Sequence, residues 1–225
     1  MSCVFTPHKE ILPPAQQRLW PHLKPAAELG YALYGGTAIA LRLAHRTSID
    51  FDFFSDRPLD RDALLSNFPF LANATVIQER PNTLSVIVSC GDTPQEGVKV
   101  SFFGEICCGR VGEPDRTEDG VLHVASLDDL MATKVKTILQ RVEAKDYRDI
   151  AAMLEAGVSL TQGLAAARAM FGVSFQPSES LKAMVYFEGG DLHTLKDGEK
   201  NSLVHAVGAI RDIPRISILS RQLAA

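Results

Sequence analysis

The chain of 225 residues is 46% hydrophobic and carries 23 basic and 27 acidic residues, which give a net charge of −4. This length and composition predict one large domain or a core domain with a helical appendage, and they exclude a largely disordered chain. Because the net charge is negative, no global basic field attracts nucleic acid, and contact with RNA would require a local basic patch.

The first 28 residues contain five prolines, which exclude a long helix in this segment. Residues 15–23 are compatible with a short helix, and Trp20 and Leu23 are expected to pack the segment against the core. The N-terminal region is therefore predicted to be an accessory layer of the core domain.

A strand, a tight turn and a helix are predicted next. The apolar residues 29–34 lead into Gly35 and Gly36, and a helical pattern of apolar residues follows at once. The two glycines allow a sharp turn and close approach of the backbone to a ligand, and Thr37 would tie down the start of the helix. The free N–H groups and the positive end of the helix dipole then suit a phosphate group.

Asp50 and Asp52 alternate with apolar residues in a second predicted strand at residues 49–54, so both side chains share one face. Two adjacent carboxylates in a largely buried strand repel each other and lose solvation, and a divalent cation resolves this conflict. Mg²⁺ binds one or two carboxylates together with substrate oxygens, and Mn²⁺ suits the same ligands. The glycine turn and the acid pair together predict phosphoryl or nucleotidyl transfer.

The remaining elements predict an extended sheet followed by helices. A helix is expected at residues 58–68, three antiparallel strands at 74–79, 83–90 and 98–106, and a polar loop at 109–120. A short strand at 121–124 leads to Ser126, which caps a helix that extends to about Arg141. Because no long helix separates the three strands, a purely parallel sheet is disfavoured. Three helices without candidate catalytic residues are predicted after Leu154, at residues 160–171, 178–188 and 196–211.

The stretch GGTAIALRLAHRTSIDFDFF, residues 35–54, resembles without a gap the first motif of the AbiEii/AbiGii toxin family of nucleotidyltransferases. That family belongs to the DNA polymerase beta type nucleotidyltransferase superfamily. The resemblance implies an α+β fold with a mixed sheet flanked by helices, a bound nucleoside triphosphate and Mg²⁺. By this resemblance the nucleotide-binding residues are Gly35, Gly36, Thr37, Arg46 and Ser48, and the metal ligands and catalytic acids are Asp50 and Asp52.

Two further stretches, KVKTILQR from Lys134 and AKDYRDI from Ala144, are similar to later motifs of the same family. The resemblance implies that Lys134 contacts nucleotide phosphate and that Asp146 is a late catalytic or site-organising acid. Arg141 shares a helical face with Lys134 and would add to a phosphate-binding basic surface. The resemblance also implies that Arg141 and Asp149 support the architecture by charge pairing. Without the resemblance, the alternative is a solvated helix face whose cations pair with local acids.

One position departs from the superfamily pattern, in which a third carboxylate lies on a strand beside the acid pair. In this chain Ser101 occupies the corresponding position, and a hydroxyl group replaces a carboxylate neither as a metal ligand nor as a base. Glu105 has the same strand parity but lies ~13 Å along an extended strand. The alternative hypothesis is therefore a catalytically degenerate relative that binds nucleotide or a partner protein. An aspartyl phosphatase is a weaker hypothesis, because such enzymes usually have a small hydroxyl residue or Val where Phe54 stands, and they do not need a glycine turn upstream.

The sequence thus predicts transfer of a nucleoside monophosphate to an acceptor hydroxyl. By resemblance, the acceptor is RNA such as tRNA, and the partner is a cognate antitoxin of a type IV-like toxin–antitoxin system. The predicted domains are a nucleotidyltransferase core at residues 1–150, with segment 1–28 packed on it, and a C-terminal helical subdomain at 151–225.

Cellular location and thiol chemistry complete the expectations. The chain has no run of 18 apolar residues and no signal-peptide pattern at its start, so a cytoplasmic protein without membrane contact is predicted. Four cysteines lack the spacing of a zinc site and are expected to be structural thiols: Cys3, Cys90, Cys107 and Cys108.

Overall fold

A computed structural model describes residues 3–89 and 97–224. The strand end and turn expected at residues 90–92, including Cys90, lie outside the described residues. Within them, Cys3, Cys107 and Cys108 form no disulfide. The chain divides into two compact units, and each unit is built around its own core. The first unit comprises Met1–Gly109, Glu113–Ala125 and Arg221–Ala225, and the second comprises Arg110–Gly112 and Ser126–Ser220.

A mixed sheet organises the first unit. Its strands are β1 (Val4–Phe5), β2 (Ala32–Tyr34), β3 (Asp50–Phe54), β4 (Thr75–Arg80), β5 (Thr83–Ser89), β6 (Gly97–Phe103), β7 (Asp115–Thr117) and β8 (His123–Val124). The sheet order is β1-β7-β8-β2-β3-β6-β5-β4. Strands β4, β5 and β6 are antiparallel neighbours, as predicted, whereas β6 runs parallel to β3. The predicted α+β class with a mixed sheet is confirmed.

The described part of the first unit contains the helices α1 (Pro14–Leu19), α2 (Pro25–Glu28), α3 (Gly35–Leu43) and α4 (Arg61–Asn67). A 3-10 turn at Trp20–Leu23 follows α1 and buries Trp20 and Leu23, as predicted. The Trp20 ring lies 6.4 Å from that of Phe51, so the N-terminal segment covers the apolar face of β3. The Asp60 side chain accepts a hydrogen bond from the Ala63 N–H and begins α4 three residues later than expected.

The predicted polar loop at residues 109–120 was wrong at Asp115–Thr117, which form strand β7. This strand pairs in parallel with β1 and antiparallel with β8. Its three residues are too few to show an alternating pattern. Its partner β1 is distant in sequence, and its partner β8 is very short. Pairing with β1 therefore extends the sheet where local sequence predicts a loop.

The second unit is helical. Its helices are α5 (Leu127–Thr137), α6 (Ala144–Glu155), α7 (Leu160–Phe171), α8 (Pro177–Val185) and α9 (Asp197–Ala209). Ser126 caps α5 by accepting a hydrogen bond from the Asp129 N–H, as predicted, but α5 ends at Thr137 rather than near Arg141. Helix α6 spans residue 150, where the domain boundary was expected, and that division stays a prediction. No helix in the described parts of the chain is long and apolar enough to cross a membrane.

Candidate active site

The acid pair lies on β3, in the middle of the sheet of the first unit. Phe51 and Phe53 are fully buried, while Asp50 and Asp52 alternate with them and are half-buried. The Phe53 ring stacks on that of Phe102 at 5.3 Å, which anchors the apolar face of the strand in the core. This packing fixes the two carboxylates on the opposite face, where they share one accessible surface.

The glycine turn touches the acid pair. Gly35 directly follows β2, begins α3 and has φ of +75°, a conformation that side chains other than glycine rarely adopt. A Cβ atom on Gly35 would lie 2.8 Å from Asp52 Oδ2, so the backbone of the turn and the carboxylate are in direct contact. The start of α3, with its free N–H groups, therefore lies within reach of a phosphate held beside Asp52.

Thr37 links the helix to the acid strand. Its buried hydroxyl donates to the Asp50 carbonyl oxygen and shares a hydrogen bond of 2.9 Å with Ser48 Oγ. The prediction that Thr37 ties down the helix start was wrong, because the N-cap position is Tyr34 and no side chain caps it. The hydroxyl instead fixes the backbone of Asp50 relative to α3, so Thr37 positions the acid pair.

Arg46 and Ser48 lie against the other glycine of the turn. A Cβ on Gly36 would collide with Arg46 Nη2 and would lie 3.2 Å from Ser48 Oγ. Arg46 Nη1 also donates to the Thr47 carbonyl at 3.0 Å. The nucleotide-binding residues predicted from the first motif are thus brought together around one turn: Gly35, Gly36, Thr37, Arg46 and Ser48.

The donor set of this site fits one hard divalent cation. The Asp50 carboxylate has no hydrogen-bond or ion-pair partner among the described residues, and both acids are open to solvent in part. Nowhere in residues 3–89 and 97–224 do three or more metal-ligating side chains of the His, Cys, Asp and Glu types cluster. Two carboxylates plus the oxygens of a bound phosphate match the preference of Mg²⁺, so Asp50 and Asp52 would hold it.

A third carboxylate is not supplied by either candidate. Ser101 pairs with Asp52 across β6 and β3, is fully buried and hydrogen-bonds to Ser85 Oγ at 3.0 Å. Glu105 lies beyond the end of β6, where its φ is +52° and its carboxylate accepts a hydrogen bond from the Asn82 amide. The chain turns away after Phe103, so Glu105 does not stand in for Ser101 on the strand.

In the second unit, Lys134, Arg141, Asp146 and Asp149 form an ion cluster. The Lys134 ammonium lies 2.7 Å from Asp146 Oδ1 and 2.6 Å from Asp149 Oδ2, and both carboxylates are fully buried. Arg141 donates to Asp146 through Nε at 2.8 Å and Nη2 at 3.0 Å, while its side chain stays 44% exposed. Contact of Lys134 and Arg141 with nucleotide stays a prediction, as does a catalytic role for Asp146.

The electrostatics of this ion cluster favour the charged form of the Asp146 carboxyl. Burial raises the pKa of the Asp146 carboxyl, but hydrogen bonding from Arg141 and the charge of Lys134 outweigh burial and lower the pKa below its ordinary value. Asp146 is therefore ionised at neutral pH and paired with both Lys134 and Arg141. Such an arrangement stabilises the packing of α5 on α6 and leaves Arg141 as its exposed cation.

The face of the sheet that carries Asp50 and Asp52, called the acid face below, also carries Lys99. The sequence alone did not indicate Lys99 as a functional residue. Lys99 pairs with Asp50 across β6 and β3 and is half-buried. The available signal was strand parity, because Lys99 precedes Ser101 by two positions and must share its face. The register between β6 and β3, which only the folded sheet supplies, places Lys99 beside Asp50.

Comparison with known proteins agrees with this geometry. A family model described as "Nucleotidyl transferase AbiEii toxin, Type IV TA system" matches residues 18–197. An uncharacterized protein of Aquifex aeolicus (strain VF5) is 30% identical over 122 residues, which are 53% of this chain and 55% of that protein. The match thus spans about half the length of this curated relative.

Two solved structures share the fold. An antigenic nucleotidyltransferase-like protein from Paracoccidioides brasiliensis has a TM-score of 0.55 at 16% identity, and the match covers 94% of this chain and 96% of that one. MenT4, a nucleotidyltransferase toxin from Mycobacterium tuberculosis H37Rv, has a TM-score of 0.54 at 13% identity, with 88% and 91% covered. At these identities the likeness concerns the fold alone, which is that of nucleotidyltransferases.

Proposed function

The chain belongs to the nucleotidyl transferase AbiEii toxin family, and from this premise we propose that it transfers a nucleoside monophosphate from a nucleoside triphosphate to an acceptor hydroxyl. The observation that carries the proposal is the contact between the glycine turn and the acid pair, in which Asp52 Oδ2 occupies the space beside the missing Cβ of Gly35. A phosphate bound at the start of α3 thereby shares its surroundings with the two carboxylates.

Each residue around the turn has a part in binding the triphosphate. The free N–H groups at Gly35 and Gly36 donate to phosphate oxygens, and the Arg46 guanidinium beside Gly36 supplies positive charge. Thr37 holds the Asp50 backbone in place, so the acid pair is positioned before substrate arrives. Asp50 and Asp52 would hold Mg²⁺, which would supply Lewis-acid polarisation of the α-phosphate.

The reaction is an in-line displacement at the α-phosphorus. The acceptor oxygen forms a bond to this phosphorus while the bond to the bridging oxygen of the β-phosphate breaks, and pyrophosphate leaves with that electron pair. The acceptor hydroxyl loses its proton to solvent, because Ser101 offers no carboxylate base at the paired position.

Family membership further supports a role as the toxin of a toxin–antitoxin pair, with RNA such as tRNA as the acceptor and a cognate antitoxin as the partner. Induced expression in a bacterial host is expected to arrest growth, and Asp52→Asn to relieve the arrest. Co-expression of the neighbouring gene should restore growth. Growth arrest by Asp52→Asn at the same protein level would contradict a toxic role for this site.

Nucleotidyl transfer is tested with purified protein, Mg²⁺, total RNA and each of the four nucleoside triphosphates labelled at the α-phosphate. Asp52→Asn is expected to lower transfer by about 10²–10³-fold, because it removes a charged ligand of the metal. Asp62→Asn is the matched control, since Asp62 is an exposed acid in the first turn of α4. Equal transfer by the wild type and Asp52→Asn would overturn the proposal.

Ser101 favours one alternative, a relative that binds nucleotide or a partner without turnover. Its hydroxyl is buried and bonded to Ser85 at the position paired with Asp52. The same assay separates the two functions. Saturable binding of labelled nucleotide that Asp52→Asn weakens, without label in any acceptor, would favour the degenerate relative.

A further inference from the structure

Lys99 lies on the acid face of the first unit without a counterion. It pairs with Asp50 on β3, while the residue opposite it on β5 is the apolar Ile87. In the described residues, neither the Lys99 ammonium nor the Asp50 carboxylate takes part in a hydrogen bond or ion pair. Lys99 is also the one charged residue in the segments that form β5 and β6. A half-buried cation in this position keeps its capacity to bind an anion.

The sheet order fixes the side from which each substrate approaches. The glycine turn follows β2, so phosphates held at Gly35 and Gly36 lie on the β2 side of the acid strand β3. Strand β6 is the neighbour on the opposite side. Adjacent strands lie about 4.8 Å apart, which separates the glycine turn from Lys99 by about 10 Å across the sheet.

In-line displacement requires the attacking hydroxyl and the leaving pyrophosphate to lie on opposite sides of the transferred phosphorus. Because the pyrophosphate would be held on the β2 side, the acceptor would enter from the β6 side. There it passes over the face that carries Lys99 and Ser101. The buried hydrogen bond between Ser101 and Ser85 adds no charge to this surface, so Lys99 supplies the charge that β6 contributes to it.

We propose that Lys99 binds a phosphate of the RNA acceptor. At the 3′ end of an RNA, the terminal nucleotide carries a phosphate a few ångströms from its attacking hydroxyl, so one cation both holds and orients it. The proposal rests on the nucleotidyl transfer proposed above. It assigns Lys99 to the acceptor and not to the nucleoside triphosphate.

Lys99→Met separates these two roles, because methionine keeps the length of the side chain and removes its charge. We expect the KM for an RNA acceptor to rise about tenfold, as for loss of one charge-assisted hydrogen bond, while affinity for the magnesium complex of the nucleoside triphosphate changes less than about twofold. Lys99→Arg should restore most of the acceptor affinity. Lys24→Met, at an exposed lysine of the same unit, is the matched control and should change neither quantity.

Binding of single-stranded RNA measured without turnover gives an independent readout. In a filter-binding assay, Lys99→Met should weaken the binding of single-stranded RNA. It should also reduce the slope of log affinity against log salt concentration by about 0.7, the value for one phosphate contact on a single strand. An unchanged slope and affinity would overturn the assignment even if transfer occurs. Equal weakening of RNA and nucleotide binding would also overturn it, because Lys99 would then serve the triphosphate.

The outcomes keep the two proposals apart. If the wild type transfers no nucleotide but Lys99→Met weakens RNA binding with the expected slope, the proposed reaction fails and the role of Lys99 in RNA binding holds. If the wild type transfers nucleotide as efficiently to small neutral alcohols as to RNA, and Lys99→Met does not change the ratio of the two rates, the RNA acceptor is wrong while the reaction stands.

Discussion

The two units each contain a pair of closely spaced aspartates, and the two pairs are in opposite states. Asp50 and Asp52 are half-buried, and the Asp50 carboxylate has no partner among the described residues. Asp146 and Asp149 are fully buried and share the ammonium of Lys134. A buried charge is costly unless it is paired and hydrogen-bonded, so the second pair is built for stability of its unit. In the first pair, the Asp50 carboxylate stays available to a ligand.

The largest expected effect separates these states through stability. Lys134→Met removes the ammonium shared by two buried carboxylates and should lower the free energy of unfolding by about 3–5 kcal/mol. Denaturant unfolding followed by circular dichroism measures it. Lys182→Met is the control, because Lys182 is 74% exposed beside Glu179 and its surface pair should contribute at most about 1 kcal/mol.

The same variant can break the comparison. If Lys134→Met unfolds at the wild-type denaturant concentration but loses nucleotide binding, the ion cluster acts on substrate, as the family resemblance implies for Lys134. The two aspartate pairs would then differ in burial, but both would take part in binding substrate.

Acid pH provides a smaller, graded test of the ion cluster. Although burial alone raises the pKa of Asp146, the contacts with Arg141 and Lys134 hold it below its unfolded value. A lowered folded pKa means that the carboxylate contributes stability above the unfolded pKa of about 3.9 and loses it as pH falls through the folded pKa. The stability difference between wild type and Asp146→Asn should therefore be largest near neutral pH and shrink below about pH 4. A pH-independent difference would show that Asp146 contributes through packing and not through charge.

Local sequence was sufficient for the centre of the fold. The alternation of Asp50 and Asp52 with two phenylalanines predicts a strand with one polar face, and the glycine pair predicts the turn before α3. Helix α7 begins and ends where its apolar pattern and the glycine after Phe171 predict. These features depend on neighbours within a few residues, so hydrophobic periodicity and turn residues are sufficient to predict them.

Features that depend on pairing between distant segments could not be predicted from local sequence. Strand β7 exists because it pairs with β1, and Thr37 bonds to the Asp50 carbonyl rather than capping its own helix. The role of Lys99 depends on the register of β6 against β3. Strand parity limits each side chain to a face, but it does not determine which residue of the neighbouring strand lies opposite.

Apart from the surface control, the smallest expected change in stability comes from the glycine turn, and it sharpens the contrast between the two units. Gly35→Ala and Gly157→Ala both place a methyl group on a residue with positive φ, +75° and +86°, which should lower the free energy of unfolding by about 1–2 kcal/mol in each case. Only the methyl at residue 35 also meets a neighbour, Asp52 Oδ2 at 2.8 Å, whereas nothing lies within 4 Å of the corresponding position at Gly157. Gly35→Ala should therefore weaken nucleotide binding at least about tenfold by displacing the carboxylate, while Gly157→Ala leaves it unchanged. Equilibrium dialysis with labelled nucleotide measures both variants. If they bound nucleotide equally well, the contact between the turn and the acid pair would have no part in holding the substrate.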